Sequence, residues 1–277
     1  MGFDLHIHST FSDGMLTPQE LIDEALRIGL RGIALTDHDT VSGIETAAEY
    51  AAMRKYNLIP GIELNTEMGY FESHILGYFI DWKNDRLNSR LHELKESREQ
   101  RAIKMVSKLN SMGIEIKINR VKELAKGDLV GRPHVAQAMM EKGYVFSIKE
   151  AFEKYIGQGR PGYIPRYKFM PQEAIELIKS TGGISVLAHP GLLRNISIVN
   201  ELMELGIEGI EVNYPEHSQD DTDRYFQMAA KRGLFVTGGS DYHGNSSDGR
   251  GKLGCCVTKD EMVKQMMDSI ESKNVAE

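Results

Sequence analysis

Four short strings of metal-ligand residues constrain this chain more than any other feature: His6-Ile7-His8, Asp37-His38-Asp39, Ala188-His189-Pro190 and Asp241-Tyr242-His243. Each follows a short apolar run of strand character, over 3–7, 32–35, 184–187 and 234–236. Runs of this kind read as buried strands, so each string falls at a strand's carboxyl end, where parallel α/β architectures bind metals and substrates. Five imidazoles and three carboxylates delivered from both termini are explained if they converge on one site. The expectation is a multinuclear metalloenzyme.

The first 85 residues alternate strand and helix. Thr17-Pro18-Gln19-Glu20 carries a helix start, with Thr17 as cap, Pro18 in the first turn and Glu20 completing a capping box. Leu21, Ile22, Ala25, Leu26 and Ile28 supply its apolar face, and Gly29 can end it. A strand over 32–36, a helix over 44–56 and a strand over 58–65 repeat the unit; a further run covers 75–80. From 86 to 113 the spacing predicts one long charged amphipathic helix, followed by shorter helical segments and a Gly/Pro-rich stretch at 157–162. Strand and helix alternation returns after Met170-Pro171, with strands at 184–187, 209–213 and 234–237. This divides the chain into a barrel's first part (1–85), a helical insertion (86–167) that would cap the substrate, and the barrel's second part (168–277). The architecture expected is α/β, a barrel or strongly curved parallel sheet.

A net charge of −7 argues against broad attraction to membranes or duplex nucleic acid, while divalent cations would locally reverse the field and leave phosphorylated substrates compatible. The amino terminus lacks a basic-then-apolar leader, and no apolar run spans a membrane; a cytoplasmic protein is expected. Cys255 and Cys256 are adjacent, which disfavours an ordinary structural disulfide. They are expected as buried strand residues rather than as metal ligands or a redox pair.

Residues two apart on a strand project to the same side, so His6 and His8 form half of a transition-metal site and Asp241 with His243 repeats the geometry. Glu63 lies inside an apolar run, where a carboxylate is costly unless paired or metal-bound. With Ser12-Asp13-Gly14, Gly61-Ile62-Glu63 and Gly239-Ser240-Asp241 in their order, these strings resemble the motifs of the PHP (polymerase and histidinol phosphatase) family over about 1–80 and 170–260.

That resemblance implies a distorted (β/α)7 barrel holding two or three divalent ions of Mn, Fe or Zn. It implies one metal on His6, His8, Glu63 and Asp241, a second on Glu63, His74 and His189, and a third on Asp13, His38 and His243. Many family members have His where this chain has Asp13, which makes the third site more acidic. The insertion with Gly131-Arg132-Pro133-His134 resembles the stand-alone subgroup of nucleoside 3′,5′-bisphosphate phosphatases and 5′→3′ exoribonucleases, so the implied substrate is a small nucleotide or short RNA.

Divalent ions activate water at neutral pH and neutralise phosphoryl charge, so metal-activated hydroxide is the expected nucleophile, with Asp241 in the catalytic set. Arg132, His134, Arg160 and Arg166 stand on Pro-bracketed segments of the insertion and are candidate phosphate contacts. His217 is a candidate proton donor to the leaving alcohol. Asp37 and Asp39 are candidates to orient imidazoles, or else cap the helix that follows. Two alternatives stay open: a histidinol-phosphate-type or cyclic-phosphate hydrolase, and a noncatalytic metal-stabilised binding module.

Overall fold

The computed structural model describes residues 2–69, 71–125, 129–165, 167–244 and 251–276. In chain order its elements are β1 (Phe3–Asp4), α1 (Pro18–Arg27), β2 (Gly32–Leu35), α2 (Ile44–Arg54), β3 (Asn57–Met68), β4 (Phe71–Tyr78), α3 (Asp85–Ser111), α4 (Ile118–Leu124), α5 (Arg132–Glu141) and α6 (Ile148–Ala151). A π-helical turn at Phe152–Ile156 follows, then α7 (Pro171–Lys179), β5 (Ile184–Leu187), a 3-10 turn at Pro190–Leu193, α8 (Ile196–Glu204), β6 (Gly209–Asn213), α9 (Gln219–Arg232), β7 (Phe235–Gly238) and α10 (Asp260–Ala276). The chain forms two compact units, Met1–Asn88 with Phe169–Glu277, and Ser89–Lys168.

The first unit is a seven-stranded sheet with its strands in chain order. It is not wholly parallel. β4 runs antiparallel to both β3 and β5, while the other neighbours are parallel. Only residues 69 and 70 separate β3 from β4, far fewer than the dozen or so a parallel crossover needs. The reversal places His74 opposite Asn65, two residues beyond Glu63 on β3.

β1 pairs over two residues rather than the five its apolar run predicts. Thr36 takes over the ladder at Ile7: its hydroxyl accepts the Ile7 N–H at 3.0 Å, and its N–H donates to the Ile7 carbonyl at 2.9 Å. The segment carrying His6 and His8 then turns to the other edge of the sheet. Leu5 N–H donates to Gly238 O, His8 N–H donates to Tyr242 O, and Ile7 bridges Tyr242 in parallel. These bonds nearly close the sheet into a barrel and bring the first and last strings together.

Leu5, Ala34, Leu76, Tyr78, Ile184 and Val186 fill one buried cluster with Val263 and Met266 of α10. At the start of α1 the Thr17 hydroxyl accepts the Glu20 N–H and the Glu20 carboxylate accepts the Thr17 N–H, satisfying two helix-end donors. The second unit is helix and loop throughout its described residues, packed on Met105, Val106, Leu109, Val121, Val135 and Met139. Among the described residues, no helix is long and apolar enough to cross a membrane.

The cysteines depart from expectation. Both lie in a bend after β7, Cys255 exposed and Cys256 half-buried. Their apolar neighbours suggest a strand, but residues 253–256 form a turn and bend whose Gly254 N–H is held by Asp4.

Candidate metal centre

Glu63 is fully buried, and its two carboxylate oxygens face different imidazoles. Oε2 lies 3.2 Å from His6 Nε2, 3.2 Å from His8 Nε2 and 2.9 Å from His38 Nδ1. Oε1 lies 2.7 Å from His74 Nδ1 and 3.1 Å from His189 Nε2. Asp241 Oδ1 stands 3.2 Å from His8 Nε2 and 3.5 Å from His6 Nε2. Asp13 Oδ1 lies 3.1 Å from His243 Nε2 and 3.8 Å from His8 Nδ1. The structure thus brings all nine expected ligands into one continuous constellation.

Three groupings have ligand atoms within 4.8 Å of one another: His6, His8, Glu63 and Asp241; His38, Glu63 and His74; and His8, Asp13, His38 and His243. The first has the membership the resemblance implies. In the second, His38 stands where His189 was expected, His189 reaching the centre through Glu63 Oε1, and in the third His8 joins Asp13, His38 and His243, so His8 and His38 sit at junctions between clusters. The donor chemistry fits divalent metal. His6 Nε2, both His8 nitrogens, Glu63 Oε2 and His243 Nε2 are shut off from solvent and make no hydrogen bond, although they approach one another closely. Orphaned lone pairs converging in a buried space are costly without a cation to share, and imidazole with carboxylate is a donor set for Zn, Mn or Fe.

The backbone is shaped around these side chains. His189 and Asp241 adopt positive φ, 25° and 51°, conformations that cost a non-glycine residue about 1–3 kcal/mol. Two glycines permit close approach. A Cβ on Gly14 would lie 2.2 Å from the His8 carbonyl oxygen, and one on Gly239 would lie 2.3 Å from His6 Cβ.

β6 supplies residues that the sequence reading missed. Glu211 is fully buried; its carboxylate meets His6 Nδ1 at 3.1 Å and accepts the His189 N–H at 2.8 Å. That contact makes Nδ1 the protonated nitrogen of a neutral His6 and turns Nε2 toward Glu63 and Asp241. Beyond the strand end, the Tyr214 hydroxyl donates to Asp241 Oδ2 at 3.0 Å, leaving Oδ1 to face the imidazoles; burial, with the Asp241 charge, keeps that phenol protonated. Glu211 shows the same signal as Glu63, an acid inside an apolar strand. Glu211→Gln is expected to lower metal affinity about 10–100-fold with the fold retained, as read by competition with a chelator.

Electrostatics hold His6 and His8 protonated and Glu63 ionised when metal-free, whereas burial lowers His74 and His243 toward the neutral form. Burial works against the charged form of His8, but Asp241 and Glu63 outweigh it and push its pKa up to about 10. His6 is raised well above its ordinary value against the same burial, by Glu63, Glu211 and Asp241. Burial alone would raise Glu63, yet His38, His6 and His74 hold it well below the carboxylate range. A raised imidazole is protonated at pH 7, and metal must displace that proton. Metal affinity is therefore expected to rise with pH from 6 to 8, about tenfold per unit for each proton displaced, and adding Mn²⁺ to metal-free protein in weak buffer should release protons.

Other expected roles are redistributed. His217 is not arranged as a proton donor: its Nδ1–H donates to the Val212 carbonyl at 2.9 Å and its Nε2 accepts the Gly191 N–H at 3.1 Å. Both nitrogens pin the backbone, and burial keeps the ring neutral. Asp37 accepts from the Ser9 N–H, the Ser9 hydroxyl and the Ser12 hydroxyl, which fixes the loop before Asp13 rather than an imidazole. Asp39 accepts from Asn65, whose amide nitrogen also lies 3.2 Å from His38 Nδ1. In the second unit, His134 Nδ1 accepts the Gly131 N–H at the start of α5, Arg132 lies 5.0 Å over the Phe152 ring, and Arg160 is exposed. Arg166 lies outside the described residues.

The PHP domain family matches residues 4–237. A 3′,5′-nucleoside bisphosphate phosphatase of Chromobacterium violaceum is 34% identical over 253 residues, covering 89% of each chain. A 5′-3′ exoribonuclease of Escherichia coli is 34% identical over 249 residues, covering 87% of this chain and 85% of that one. A solved structure from Bifidobacterium adolescentis, described provisionally as a metal-dependent phosphoesterase, is 31% identical, with a TM-score of 0.81 and 96% of both chains covered.

Proposed function

The chain belongs to the PHP domain family, and from that premise we propose that it is a metal-dependent phosphoesterase acting on a nucleoside 3′,5′-bisphosphate or a short oligoribonucleotide. The observation that carries the reading is Glu63, one buried carboxylate shared by five imidazoles. A noncatalytic module has no need of so many orphaned donors on a strained backbone. The relatives named for a bisphosphate phosphatase and an exoribonuclease support the substrate class.

His6, His8, Glu63, Asp241, His38, His74, His189, Asp13 and His243 would hold two or three ions of Mn, Fe or Zn. Divalent ions bound there supply Lewis acidity toward a phosphoryl oxygen and a water of lowered pKa. The protein's own part is to present, in fixed orientation, charged carboxylates and imidazoles that become neutral as metal displaces their protons. Glu211 sets the His6 tautomer and Tyr214 sets the Asp241 rotamer, so little reorganisation accompanies charge build-up in the transition state. The setting proposed is the cytoplasm.

We further propose that Arg132, with Arg160 and Arg166, takes a second phosphate. Arg132→Ala is expected to raise KM about tenfold for 3′,5′-bisphosphorylated adenosine, the loss of one charge-assisted contact, and to leave a monophosphate unaffected. A variant whose kcat/KM is unchanged from the parent's on both substrates would remove that role. The substrate class is tested by comparing this compound and short RNA with histidinol phosphate and a cyclic phosphate. Preference for either of the last two would move the reading to another phosphoesterase.

A further inference from the structure

Cys255 and Cys256 are the chain's two cysteines, and the metal centre uses neither. Cys255 is exposed and Cys256 half-buried, so the first residue of the pair faces solvent more than its neighbour. The neighbouring Cys256 thiol helps to lower Cys255, while Cys256 is raised by Cys255 and by burial. An accessible, activated thiol beside a second thiol is the arrangement of a cysteine that is oxidised reversibly.

This pair is tied to the metal-ligand strands by hydrogen bonds. The Gly254 N–H, immediately before Cys255, donates to Asp4 Oδ2 at 2.8 Å. Asp4 Oδ1 accepts the Ser240 N–H at 2.9 Å and the His6 N–H at 3.3 Å. One buried carboxylate thus joins the cysteine bend to the residue before Asp241 and to His6 itself. The Cα atoms of adjacent residues lie about 3.8 Å apart, closer than the ~4.4–6.8 Å span of ordinary disulfides. Joining the sulfurs therefore requires the bend to change shape, which pulls on the Asp4 bond.

We propose that Cys255 and Cys256 form a thiol switch, in which low-molecular-weight disulfides oxidise the pair to a labile vicinal disulfide that loosens the Asp4 anchor of the metal centre. The Cys255 thiolate attacks one sulfur of the small disulfide; that S–S bond breaks, and the departing thiolate takes up the proton Cys255 lost. The Cys256 thiolate then attacks the Cys255 sulfur and expels the second small thiol, protonated by the proton Cys256 gave up. The pair is oxidised by two electrons, the small disulfide is reduced to two thiols, and protons balance.

The test treats metal-loaded protein with glutathione disulfide, counts free thiols and weighs the peptide carrying both cysteines. The result expected is a fall from two thiols to none, with no glutathione retained and full reversal by dithiothreitol. Cys256→Ser should stop at a glutathione adduct on Cys255, and Cys255→Ser should react about tenfold slower. Metal retention against a chelator should weaken about tenfold on oxidation, and not in Cys255→Ser. Two persistent thiols, equal reactivity of the variants or disulfide-linked dimers would overturn the switch. Oxidation with unchanged metal retention would overturn its link to the centre. No readout uses turnover, so failure here is distinguishable from failure of the phosphoesterase reading.

Discussion

Glu63→Gln is expected to strip metal from the centre and to lower turnover by at least about 10²–10³-fold. Both Glu63 oxygens are engaged, Oε2 toward His6, His8 and His38 and Oε1 toward His74 and His189. An amide keeps the size but replaces one oxygen by an NH₂ group, which cannot ligate and points a donor at groups that must stay free of protons. Two ligand clusters are damaged together. Ligand-linked stabilisation should vanish with them: the parent should gain about 4 kcal/mol from an ion present at a thousandfold excess over its Kd. Thermal unfolding with and without Mn²⁺ checks this directly, since the variant's midpoint should not respond to the metal.

Asp241→Asn is expected to abolish measurable turnover, again by at least about 10²–10³-fold, with the fold retained and the metal-free melting temperature lowered only by the lost attraction to protonated His6 and His8. The reason for this separation lies in Tyr214. Its hydroxyl donates to Asp241 Oδ2, and an Asn carbonyl oxygen can still accept that bond, so the loop and its positive φ persist. The amide nitrogen is then turned toward His6 and His8, where Oδ1 stood 3.5 and 3.2 Å away, and one anionic ligand is gone. Kinetic assay beside a melting curve reads both halves of the expectation. Lost activity with an equally lost fold would mean that Asp241 is a structural residue.

The candidate ligand residues were legible because metal chemistry writes itself locally: imidazoles and carboxylates at i, i+2 spacing, such as His6 with His8, survive any detail of packing. The strands at 184–187 and 209–213 were legible for a related reason, since β5 and β6 are apolar runs of strand length. Direction was not. The run containing β4 carries no mark of being antiparallel, and only the short link from β3 forces it. Glu211 and Tyr214 were missed because an orienting residue has no fixed spacing from the group it orients. His217 misled because a loop histidine's role depends on which backbone groups face its ring, here Val212 and Gly191, and those are set by the tertiary fold. The cysteines misled because Cys256-Val257 reads as strand, while the Asp4 bond to Gly254 holds the preceding residues in a turn.

The constellation around Glu63 is proposed as a catalytic metal centre for phosphate esters. Its most direct test is phosphate release from 3′,5′-bisphosphorylated adenosine by protein loaded with Mn²⁺, with metal content measured on the same sample and a chelated sample in parallel. Two or three bound ions per chain with rapid release of the 3′-phosphate, lost on chelation and recovered on reloading, is the expected result. Fully loaded protein that releases no phosphate from this compound, short RNA, histidinol phosphate or a cyclic phosphate would contradict it and leave a metal-stabilised binding module.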